Sequence, residues 1–185
     1  MAKPSGTAWI SRFPTSKSVG DLKGSFGGNV RKFLDALKNA GAKVTISATF
    51  RPPQRAYLMR YSYEIAHGMD PGQVPPMTGV DIDWVHKDKQ GKPDVDASKK
   101  AASEMAKAYS IAYKPALKSR HTEGLAIDMG ISWTGDLKIK AATGKDVTIK
   151  SNPRDGGNKE LQAVGAGYGV VKLKSDPPHW SSDGH

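Results

Sequence analysis

Apolar residues recur along this chain first with the spacing of helices and later with the alternation of strands. From Asn29, the run "NVRKFLDALKNAGA" puts Val30, Phe33, Leu34 and Leu37 on one helical face, and Gly41 predicts its end. "KVTISATF" then alternates, with Val44, Ile46 and Ala48 on one side, which predicts a strand closed by Pro52 and Pro53. "QRAYLMRYSYEIAHG" returns to helical spacing and ends at Gly68, and "DASKKAASEMAKAYS" predicts another helix capped by Asp96 or Ser98. Short alternating runs follow, "GLAIDMGISW", "DLKIKA" and "DVTIK", joined by turn residues such as "ATGKD". A short helix over "NKELQAVGAG", a last strand over "YGVVKLK" and a tail, "SDPPHWSSDGH", complete the chain.

Helices early and strands late predict an α+β fold, a small antiparallel sheet with helices packed on one side. Residues 1–25, rich in Gly, Ser, Lys and Pro, read as an N-terminal arm, and residues 26–185 as one domain. The stretch from Met69 to Pro93 has no clear periodicity, and a segment of that kind suits the rim or lid of a site.

The absence of cysteine excludes disulfides, thiol catalysis and thiolate metal sites. No apolar run has the length of a membrane span, so membrane insertion is not expected. The net charge of +10 favours polyanionic partners: nucleic acid, anionic lipid or bacterial envelope polymers. Because the lysines are spread along the chain without interleaved aromatics, no specific nucleic-acid partner is expected. The N-terminus lacks the apolar core of a signal peptide, which predicts a protein made in the cytoplasm and carried outward by other means.

One segment, "SRHTEGLAID", places His121 seven residues before Asp128 with Gly124 between them. Ligand atoms about 2 Å from one zinc ion lie only about 3–3.5 Å apart. Seven residues span roughly 10.5 Å on a straight helix and more than about 20 Å on a strand, so sharing an ion requires the chain to double back. Gly124 permits such a turn, after which "LAIDMGI" continues as a strand with Ala126 and Asp128 on one face. An aspartate in so apolar a strand needs a partner. The prolines of "SDPPHW" predict an extended path with three residues per turn, on which Asp176 and His179 point the same way. His179 is then a third ligand, and Asp176 a base beside the ion. Three N/O ligands leave a position for water, the pattern of a catalytic zinc site, and a neighbouring carboxylate suits amide hydrolysis.

"SRHTEGLAID" closely resembles the SxHxxGxAxD signature of the D-alanyl-D-alanine carboxypeptidase and L-alanyl-D-glutamate endopeptidase family, with Ser119, His121, Gly124, Ala126 and Asp128 at the fixed positions. "DPPHW" resembles that family's second motif, and "GAGYGVVKLKSDPPHW" is similar to the strand leading into it in phage endolysins. The resemblance implies a fold like that of hedgehog and the D-Ala-D-Ala peptidases. It implies one zinc ion on His121, Asp128 and His179, with Asp176 as general base. Through "TISATFRPPQRAYL" it implies Arg51 at the substrate carboxylate or oxyanion, with Ser119 also on the substrate side. The implied protein is a bacteriolytic, antimicrobial hydrolase of peptidoglycan stem peptides, monomeric, reaching the cell wall after holin release or injection. Aspartate at the base position, and Pro177 where carboxypeptidases often carry the first His of an HxH pair, lean toward an endolysin cutting L-Ala-D-Glu. A D-Ala cross-link or terminal D-Ala is the alternative bond, a secreted effector the alternative setting, and a non-catalytic wall-binding module the alternative class.

The other histidines compete poorly. His67 falls in a last helical turn, His86 in the irregular segment, and His185 at the end of the tail, where mobility is expected. "HKDKQGKPDVDA" hints at a calcium loop, but aligning Gly91 to the invariant glycine puts His86 and Ala97 where carboxylates are required.

Overall fold

The computed structural model describes residues 2–185 and is α+β, with five α-helices and small, mainly antiparallel sheets among them. The chain divides into two compact units, one of residues 2–14 with Pro52–Ser119, the other of Thr15–Arg51 with Arg120–His185.

The first unit is built on two helices, α2 (Pro53–Ala66) and α3 (Val95–Ala108). Their apolar faces close over Tyr57, Leu58, Ile65, Ala102 and Met105, joined by Trp9, Val80 and Trp84. The α3 cap is Asp94, whose side chain accepts from the Ala97 N–H, rather than the expected Asp96 or Ser98. A two-residue strand, β1 (Lys3–Pro4), pairs in parallel with β3 (Ile82–Asp83), a contact no sequence signal announced. Within the expected arm of residues 1–25, Trp9 is buried in this unit and Leu22 in the other.

The second unit holds α1 (Gly24–Asn39), β2 (Lys43–Ala48), the single turn α4 (Arg120–Glu123), β4 (Ala126–Ser132), β5 (Leu137–Lys140), β6 (Asp146–Ile149), α5 (Lys159–Gly167), β7 (Val171–Lys172) and β8 (His179–Ser181). Four strands form an antiparallel sheet in the order β2-β4-β8-β7, and β5 pairs with β6 in a separate hairpin. Helix α1 begins five residues before its expected start. Gly24, Gly27 and Gly28 are poor helix formers, but burial of Phe26 in register with Val30, Phe33 and Leu37 outweighs them.

Alternation along β4 then divides the unit. Ile127, Met129 and Ile131 point to one face, where α1, α5 and Trp180 bury them. Asp128 points to the opposite face. Gly165 lets α5 lie close, since a Cβ there would stand 2.9 Å from both Trp180 Cζ3 and the Val170 carbonyl. The two units contain no helix long and apolar enough to cross a membrane.

Candidate metal centre

Three neighbouring pieces of chain in the second unit bring the candidate ligands together. Asp128 on β4 and His179 on β8 are directly opposed cross-strand partners, so the sheet register alone juxtaposes their side chains. His121 comes from the α4 turn. After it Gly124 takes φ of +73°, in the left-handed region, and the chain reverses into β4. The reversal is held by the Leu125 N–H donating to the Arg120 carbonyl at 2.8 Å and by the Lys23 N–H donating to the Gly124 carbonyl at 2.9 Å.

The three ligating atoms form a nearly equilateral triangle. His121 Nε2 lies 3.0 Å from Asp128 Oδ1 and 3.2 Å from His179 Nδ1, and His179 Nδ1 lies 3.1 Å from Asp128 Oδ1. Atoms bound tetrahedrally at about 2.0–2.1 Å would be separated by about 3.3 Å, so the triangle needs only slight opening to take one ion. Both imidazoles are buried.

His121 Nδ1 is 2.6 Å from the Thr49 carbonyl, and His179 Nε2 is 3.1 Å from the backbone oxygen of His185. Those oxygens only accept, so each of these ring nitrogens carries the hydrogen. In a neutral imidazole the other nitrogen is then a bare lone pair. Two such lone pairs and a carboxylate oxygen therefore converge, three acceptors without a donor among them. A cation resolves that conflict, and a ring N–H held by a backbone carbonyl is how metal-binding histidines are usually oriented. Among the described residues this is the one group of three with metal-ligand geometry.

Electrostatics agree. Burial works to raise the Asp128 carboxyl, but hydrogen bonds with His121 and His179 hold it well below the usual carboxylate range. Burial works to lower the His179 imidazole, yet the Asp128 hydrogen bond raises it. Each shift is what a proton standing in for a metal ion would produce. Beside the triangle, Arg120 bridges Glu123 at 2.8 Å and Asp183, tying the α4 turn to the segment after β8. The backbone of His185 is engaged as well, because Ser181 Oγ accepts from the N–H groups of Gly184 and His185.

The other expected residues fall differently. Asp176 is exposed on a turn that leads directly into His179, and it is no part of the ligand triangle. The extended path expected across Pro177 and Pro178 is replaced by consecutive turns, closed by the Asp176 N–H to the Leu173 carbonyl and the His179 N–H to the Asp176 carbonyl. Arg51 lies beside the centre through its backbone, its N–H donating to the His121 carbonyl at 3.0 Å. Ser119 is half-buried at the end of the first unit. His67 stacks on Tyr63 and bonds its carbonyl, and His86 bonds Ser5, so both are accounted for elsewhere.

Sequence reasoning missed two contributors. Thr49, fully buried, fixes the His121 tautomer through its carbonyl, which no side-chain pattern can announce. Lys172 is buried too, and its ammonium donates to the carbonyls of Leu173, Asp176 (2.6 Å) and His179 (3.1 Å). Its signal was present: in "GVVKLK" alternation places Lys172 on the inward face with Val170. A cavity of 760 Å³ in this unit is walled by Met129, Pro177 and Pro178, with Lys159, Lys172 and Lys174 contributing positive charge. No protein-family model and no curated protein matches the chain.

Proposed function

We propose that this protein is a zinc metallopeptidase that hydrolyses an amide bond in the stem peptides of bacterial peptidoglycan, with L-Ala-D-Glu as the first candidate bond. The observation that carries the reading is the convergence of two imidazole lone pairs and a carboxylate within 3.2 Å of one another, set by a histidine-turn-aspartate segment and a second histidine. The SxHxxGxAxD pattern supplies the substrate class, and the hedgehog-like fold of that peptidase group is part of the same proposal. Zinc in such a three-ligand site supplies Lewis-acid polarisation of an amide carbonyl and acidifies water.

The chain's own residues supply the rest. His121, Asp128 and His179 would hold the ion. Asp176, exposed and next to the His179 turn, takes the proton from the water that adds to the carbonyl carbon. It then returns that proton to the nitrogen as the C–N bond breaks. Arg51, anchored at the His121 carbonyl, offers its guanidinium to a substrate carboxylate or to the developing oxyanion. Ser119 is assigned to the substrate side. Stem peptides are acidic, which suits the net charge of +10. On this reading the protein acts as a monomer at the cell wall, as an endolysin or an injected effector.

The test is digestion of purified peptidoglycan sacculi by zinc-loaded protein, with and without chelator, followed by mass spectrometry of released fragments. Chelator-sensitive release with new L-Ala and D-Glu termini is expected. New D-Ala termini would move the assignment to a carboxypeptidase or cross-link endopeptidase. Intact sacculi in the presence of bound zinc would overturn the peptidase and leave a wall-binding module.

A further inference from the structure

We infer that Lys172 is the positioning residue of the metal centre: its buried ammonium gathers the carbonyls of Leu173, Asp176 and His179 and so fixes where His179 and Asp176 present their side chains. The inference rests on the metal-centre reading and adds a residue to which the sequence pattern gives no role.

Three carbonyls of one turn facing a common point repel one another unless a cation stands there. Lys172 is the residue that supplies it, and its three ammonium hydrogens match three acceptors. The residue is 9% exposed, so the ammonium meets these carbonyls largely shielded from bulk water. Two of the three carbonyls belong to residues with assigned roles, the base Asp176 and the ligand His179. The third, Leu173, also receives the Asp176 N–H, and the His179 carbonyl receives the Leu173 N–H at 3.1 Å. The segment 173–179 is therefore a loop wound around one ammonium, with a proposed ligand at its end. Proline at 177 leaves that position without an N–H, so the loop has fewer internal bonds available and depends more on the cation.

The test uses the full chain and Co(II) as a spectroscopic substitute. Lys172→Met keeps the stem and removes the charge. Measured by chelator competition at a temperature where every variant is folded, it should weaken Zn(II) affinity by about 10–100-fold, the usual cost of losing an outer-shell partner. It should also alter the Co(II) visible absorption. Leu161→Ala, a fully buried core truncation on α5, serves as the control: it should lower the melting temperature and leave affinity and spectrum unchanged. Because the chain has no cysteine, Lys172→Cys can be aminoethylated at a single site, in the unfolded protein, to restore an ammonium. Refolding should then recover both the affinity and the spectrum. Wild-type affinity and spectrum in Lys172→Met would overturn the inference. So would failure of every uncharged variant to fold, which would make the ammonium a general stabiliser. Absence of Zn(II) binding by the wild type would instead sink the metal-centre reading itself.

Discussion

Replacing Asp128 by Asn separates a metal centre from a merely buried polar cluster. The amide has the carboxylate's shape, but its nitrogen brings two hydrogens to the place of Oδ1, 3.0 Å from His121 Nε2 and 3.1 Å from His179 Nδ1. Each hydrogen meets one of the two imidazole lone pairs, so the three-acceptor conflict disappears without an ion. Two neutral hydrogen bonds are worth about 1–3 kcal/mol together, and at a pH where both imidazoles are neutral the metal-free variant should be as stable as the metal-free wild type or more so. Metal binding should move the other way. Zinc sites with four ligands bind with about 10–16 kcal/mol, or roughly 2.5–4 kcal/mol per ligand, so removing one costs about 10²–10³-fold in affinity. At zinc a hundredfold above its Kd, the wild type gains about 2.7 kcal/mol. For a unit of roughly 100 residues that is a rise in melting temperature of about 10–20 °C, which Asp128→Asn should lose. Thermal melts with and without zinc, paired with metal analysis, read both effects. A variant that keeps the zinc-induced rise would refute the ligand assignment. One that melts far below the metal-free wild type would show that the cluster is held by its own polar contacts and has no need of an ion.

The metal-free protein should also show a pH dependence that Asp128→Asn lacks. The raised His179 contributes stability fully present below about pH 6.5 and lost as pH rises through its folded value. The lowered Asp128 contributes stability present above about pH 3.9 and lost as pH falls through its folded value. The wild type's advantage is therefore widest between about pH 4 and 6.5, as denaturant titrations across that range would show; a flat difference would discard the His-Asp coupling. Asp176→Ala should retain zinc and lower hydrolysis of sacculi by about 10²–10⁴-fold, and full activity would remove it as the base. Gly124→Ala places a Cβ 2.5 Å from Lys23 Cγ at a φ of +73°, which should cost about 1–3 kcal/mol in a denaturant melt and weaken zinc binding through His121. Unchanged stability would mean that the turn relaxes freely.

The ligand set was legible because each residue left a local trace. Gly124 marked the reversal, Asp128 broke an apolar strand, and the spacing between His121 and Asp128 made sense only if the chain turned back. Long elements with strong periodicity, such as α3 and β4, were legible for the same reason. What stayed hidden was set by partners distant in sequence. Strand β8 is three residues long and follows two prolines, so no period could reveal it; it exists because β4 and β7 pair with it on either side. The first residues of α1 belong to the end of the expected N-terminal arm, and only the packing of Phe26 among Val30, Phe33 and Trp180 makes them helix.

The segment 173–179 shows most clearly where local reasoning stops. Read residue by residue, two prolines predict an extended path, and extension was the basis for aligning Asp176 with His179. The folded chain instead turns around the Lys172 ammonium, which outcompetes the local preference with three carbonyl contacts. Each such bond from a charged donor is worth about 1.5–3 kcal/mol. A cation four residues before the motif thus decides the shape of the motif. The same logic governs the triangle on the neighbouring strand, where lone pairs too close to coexist call for a positive charge. Both halves of the site converge on a point that calls for positive charge, one filled by the chain's own ammonium and one whose three acceptors could hold a metal ion.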